Sequence, residues 1–67
     1  MNAGANLSRN IRRFRVERGW SQEDLAEHSG LHRTYISGLE RGTRNPTLAV
    51  MQNLADALGK QVAELLQ

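Results

Sequence analysis

The sequence has no cysteine, one proline and only three aromatic residues among 67. Without cysteine there are no disulfide staples, no thiolate metal ligands and no cysteine nucleophile, and nothing points to an oxidising compartment. No apolar run approaches the roughly 20 residues needed to cross a bilayer. Met1 to Asn6 carry no charged side chain and precede no apolar stretch, so no secretory signal is expected. No segment alternates apolar and polar residues over the length of a strand. Residues 1–67 leave room for one core, and so for a single domain, with 1–5 expected to be flexible. A fold this small buries only about 60% of the surface its unfolded chain exposes, so its helices must pack tightly or a partner must help.

What is present is basic charge, unevenly spread. The net charge is +2, and eight of the nine cations are arginine. Residues 1–20 carry five Arg against one Glu, whereas residues 21–30 carry Glu23, Asp24 and Glu27 with no Lys or Arg. Residues 31–45 return to basic, with Arg33, Arg41 and Arg44 against Glu40. The planar fork of arginine suits phosphate and guanine edges better than lysine does, so a polyanion is the expected partner.

Five stretches have helical spacing, separated by glycine or proline. The first runs from about Leu7 to Arg18, with Leu7, Ile11 and Phe14 on one face and Gly19 as its stop. The second runs from Gln22 to about His28. Ser21 and Asp24 form a capping box, carboxylates fill the first turn, and Ser29-Gly30 closes it. The third covers Arg33 to Arg41, with Ile36 and Leu39 inward and Gly42 as the stop; His32, a poor capping residue, precedes it. After the loop Gly42-Thr43-Arg44-Asn45-Pro46, Thr47 caps a fourth helix over Leu48 to Leu58, ended by Gly59. A last short helix covers Val62 to Leu66. Helices this short need tertiary packing to persist. The fold class is therefore all-α, a compact five-helix domain.

The stretch Gln22 to Leu39 carries the functional signal. Two helices are joined by a turn containing Gly30, Ala26 is small where they cross, and Leu25, Leu31, Ile36 and Leu39 lock the second across the first. This is the helix-turn-helix layout, in which one helix crosses the DNA backbone and the next enters the major groove. The string SQEDLAEHSGLHRTYISGLERGTRNPTLAVMQNLADALG resembles the Cro/repressor-type (XRE) helix-turn-helix family. The likeness spans about Leu7 to Leu66, and HRTYISGLERGTRNPT is most similar to the stand-alone controller proteins of restriction–modification systems.

The resemblance implies a transcriptional regulator acting on duplex DNA. It implies that Gln22 contacts the DNA at the start of the second helix. Arg33, Thr34 and Ser37 would face the groove, with Tyr35 near a phosphate. Arg44 and Asn45 would reach the backbone or the minor groove, and Arg15 would pair with Glu40 as a structural ion pair. Two positions depart from the family: His32 stands where Ser, Thr or Asp is frequent, and Lys60 stands where an apolar residue is frequent, which predicts looser packing of the last two helices.

Other readings are weaker. His28 and His32 are four apart, but Ser29-Gly30 breaks the helix between them, so no metal site is expected. The serines, histidines and carboxylates have no triad spacing, and a small helical chain offers little room for a pocket, so no enzymatic activity, cofactor or small-molecule ligand is expected. Val62, Leu65 and Leu66, with Met51 and Val50, cover the core, form a patch for a second copy, or do both, since a helix with two apolar faces can serve inside and outside. A homodimer is expected because one short helix reads too few bases, and a symmetric operator mirrors a protein dyad. A cytoplasmic protein with no membrane contact follows. A phage-type repressor, an antitoxin, or a module that binds another protein through the last two helices share this fold. The basic and small polar residues Arg33, Thr34 and Ser37 argue against the last.

Overall fold

The computed structural model describes residues 3–67, with side chains from Asn6 onward. Its described residues form five α-helices and no strand: α1 (Ala3–Glu17), α2 (Gln22–Ser29), α3 (Arg33–Arg41), α4 (Leu48–Leu58) and α5 (Val62–Leu66). The last three match the sequence expectation at both ends. Helix α1 starts four residues before Leu7, because its first turn carries no apolar stripe to mark it. Part of the segment expected to be flexible is therefore helical, and Met1 and Asn2 lie outside the described residues.

Local chemistry sets the helix ends. The Asp24 amide donates to the Ser21 hydroxyl at 3.1 Å, and the Ser21 amide donates to the Asp24 carboxylate at 2.8 Å. The Ser21 amide and hydroxyl hold the Asp24 carboxyl below its usual range, because both favour the ionised form. The Val50 amide donates to the Thr47 hydroxyl at 3.2 Å. His32 makes no side-chain cap; only its carbonyl serves α3, accepting from Tyr35 and Ile36. Gly30 and Gly42 take left-handed φ angles of 77° and 78° and turn the chain at either side of the α2–α3 unit.

One apolar core joins all five helices. Leu7, Ile11 and Phe14 come from α1, Leu25 from α2, Ile36 and Leu39 from α3, Leu54, Ala55 and Leu58 from α4, and Leu65 from α5. Polar side chains bridge the helix ends. Asn10, almost fully buried, donates from Nδ2 to the carbonyls of Leu65 at 2.9 Å and Gln67 at 3.2 Å. Asn53 donates to the Ser29 carbonyl at 2.7 Å, and Arg18 to the Leu58 carbonyl at 3.1 Å. Lys60 does not loosen the last two helices. Its ammonium lies 4.6 Å from the centroid of the Phe14 ring, and Leu58 and Leu65 on either side are fully buried.

Candidate nucleic-acid interface

Helix α3 is anchored from behind and open in front. Ile36 and Leu39 are buried, whereas Arg33 and Thr34 are exposed and Ser37 is half-buried. Arg33 Nε stands 3.9 Å from Glu23 Oε1, with both side chains more than half exposed. So loose a pair contributes little and yields readily to a stronger anion. Ser37 accepts from Arg41 Nη1 at 2.7 Å, which leaves its hydroxyl proton free to donate. Arg41, which the sequence marks only as basic charge at the end of the third helix, is an exposed cation on α3 beside the candidate contacts; its i,i+4 spacing to Ser37 is the signal that links it to them. Tyr35 is half-buried against the core, and the Arg44 guanidinium carbon lies 5.8 Å from its ring centroid. Arg44 and Asn45 are exposed on the loop after α3.

Behind this surface, Arg15 grips Glu40 with both arms of its fork, Nε to Oε2 at 2.7 Å and Nη2 to Oε1 at 3.0 Å. Arg15 Nη1 also donates to the Trp20 carbonyl at 2.7 Å. The side chains of the pair are 12% and 6% exposed, so it sits largely out of water. The hydrogen bond to Glu40 raises the Arg15 pKa still further, against the opposing effect of burial. Gln22 joins the pair, donating from Nε2 to Glu40 Oε1 at 3.2 Å. One of its two amide protons is thus committed inside the protein, and the other remains for an outside acceptor.

The histidines do not converge. His28 stacks on Trp20, with ring centroids 4.1 Å apart, and the Arg18 guanidinium lies 4.6 Å from the Trp20 ring. No group of three or more His, Asp or Glu side chains among the described residues is placed to hold a metal ion. The sequence reading missed this stack, because Trp20 lies outside both helices and belongs to no periodic stripe.

The apolar candidates for a contact between copies separate. Val62, Met51 and Val50 are half-buried against the core and Leu66 is 37% exposed. Leu65 is fully buried, so its assignment to a dimer interface is corrected: it fills the domain's own core and has no surface to offer.

The helix-turn-helix family profile HTH_3 matches residues 11–65, which include all of α2, α3 and α4. The chain belongs to the helix-turn-helix family. This helix-turn-helix protein is 52% identical over 60 residues to the control protein C.SmaI of Serratia marcescens, covering 90% of this chain and 71% of that protein. It is 48% identical over 62 residues to a hypothetical transcription factor of Neisseria meningitidis, but spans only 58% of that protein's length. Among solved structures, that of the Neisseria factor NHTF superposes with a TM-score of 0.94 at 45% identity, over 98% of this chain and 76% of that one. The restriction–modification controller protein C.AhdI of Aeromonas hydrophila gives 0.87 at 43% identity, over 91% and 92%. A third, the controller protein C.Esp1396I, was solved as a tetramer on its natural 35 base-pair operator, with a TM-score of 0.81 at 37% identity. Among the described residues of this helix-turn-helix protein, no helix is long and apolar enough to cross a membrane.

Proposed function

We propose that the protein is a transcriptional regulator that binds duplex DNA sequence-specifically as a homodimer on a two-fold symmetric operator, in the manner of a restriction–modification controller. The observation that carries this reading is the outward face of α3: Arg33 and Thr34 stand in solvent while Ile36 and Leu39 are buried directly behind them. A helix held this way can enter a major groove about 12 Å wide without disturbing the core. Arg33 forks onto a guanine edge, Thr34 and Ser37 offer hydroxyls to bases, and Tyr35 and Asn45 lie at the margin of the contact. Gln22 directs its free amide proton, and Arg44 its guanidinium, at phosphate oxygens. The partners are double-stranded DNA and a second copy of the chain, and the setting is the cytoplasm. The controller assignment draws its support from the likeness to C.SmaI and C.AhdI.

Selection of bound duplexes from a random pool tests the reading. Enriched half-sites related by a dyad and centred about one helical turn, or a multiple of it, apart are expected. A pool that stays random after selection overturns DNA reading, and a single asymmetric site overturns the homodimer.

A further inference from the structure

Gly38 lies one turn after Thr34 on the same side of α3, yet Thr34 is exposed and Gly38 is buried. What covers it is the start of the following loop. A Cβ at position 38 would stand 2.7 Å from Arg44 Cγ, 3.3 Å from Thr43 Oγ1 and 3.4 Å from Arg44 Nε. The chain turns back at Gly42, and Thr43 then grips the Gly38 carbonyl twice, through its amide at 2.9 Å and its hydroxyl at 3.1 Å. The stem of Arg44 therefore lies across the helix where no side chain stands, and its guanidinium leans over the Tyr35 ring.

We propose that Gly38 and Thr43 are positioning residues that hold Arg44 against the outward face of α3, so that its phosphate contact and the base-reading side chains move as one body. The proposal rests on the reading of Arg44 as a phosphate contact. A glycine in mid-helix weakens the helix relative to alanine, and here the missing methyl makes the path for the arginine stem. A side chain already held in place loses less rotamer freedom on binding, and its distance from Arg33 and Thr34 is set before DNA arrives.

The test is a salt series of binding to a mixed-sequence DNA duplex for the wild type, Gly38→Ala, Arg44→Ala, the double variant and Thr43→Val. Arg44→Ala and Gly38→Ala are each expected to weaken binding and to reduce the slope of log affinity against log salt by about 0.9, the share of one phosphate. In the double variant the second change adds no further loss, because both act through one contact. Its melting temperature should also rise above that of Arg44→Ala, since the methyl added at position 38 then meets no stem and favours the helix. Should Gly38→Ala fail to fold, Thr43→Val decides: it keeps the side-chain volume, loses the hydroxyl bond and is expected to lower the slope. A wild-type slope in the folded Gly38→Ala variant, or in Thr43→Val, overturns the positioning role, as do losses that add in full. Where the wild type binds and Arg44→Ala weakens it while Gly38→Ala does not, only the positioning role fails. Where the wild type does not bind duplex DNA at all, the regulator reading fails and takes the role with it.

Discussion

The two arginines Arg15 and Arg33 show how burial sets a charge's task. Arg15 is committed to Glu40 and the Trp20 carbonyl and cannot turn outward without leaving a buried carboxylate with only the Gln22 amide beside it. Arg33 has one loose, exposed neighbour and is free to be used. Glu40→Ala is expected to destabilise the fold by about 3 kcal/mol, because the Arg15 fork and one Gln22 proton lose their acceptor together. That is a large part of the roughly 3–10 kcal/mol that holds a domain of this size, and urea unfolding would show it as a lower midpoint. Arg33→Ala should leave the unfolding midpoint in place and remove the preference at one base pair, worth about 1–3 kcal/mol of discrimination. Equal losses on selected and random duplexes would show that Arg33 reads no base.

Among the elements, α2 begins on a carboxylate whose ionised form the fold favours. Folding lowers the Asp24 pKa, through the Ser21 amide first and the Ser21 hydroxyl second. The stabilisation is fully present above the ordinary carboxylate value, about pH 4, and is lost as pH falls through the lowered folded value. Thermal melts across that acid window should show stability falling with pH in the wild type and falling less in Asp24→Asn. A variant with the same pH slope as the wild type would place the acid response elsewhere. Ser21→Ala removes the partner cap and is expected to cost about 1 kcal/mol at neutral pH. Apart from the start of α1, the element boundaries are legible because their signals are local: a capping serine, an αL glycine, a periodic stripe. What escaped were side chains acting between elements. Asn10 lies on α1 and serves the carbonyls at the end of α5, more than fifty residues away, and no window on the sequence joins the two.

For the whole molecule the question is how many copies act together. The longest dimension of the domain is 29 Å, so its single α3 cannot occupy two half-sites centred roughly 34 Å apart, and a symmetric site of that spacing needs two copies. The neighbours Leu65 and Leu66 separate folding from assembly. Leu65→Ala should cost about 2–5 kcal/mol, because it opens a cavity in a fully packed core. Leu66→Glu should leave the fold intact while sedimentation shifts toward the monomer, since the side chain is already in partial contact with water. An unchanged sedimentation coefficient would remove Leu66 from the contact between copies.

The sequence by itself determined the class of the molecule. Its five helices, their stops, the helix-turn-helix spacing and the surplus of arginine are consequences of short-range rules in which each residue acts on neighbours a few positions away. The polar face of α3 followed as well, because the apolar residues Ile36 and Leu39 leave only one side free. Tertiary structure decided which of several similar residues does what. It put Leu65 inside and Leu66 outside, tied Gln22 to Glu40, stacked His28 on Trp20, and laid the stem of Arg44 across Gly38. The physical reason is that burial, close approach and hydrogen-bond partners are properties of the packed whole, set by where distant segments meet.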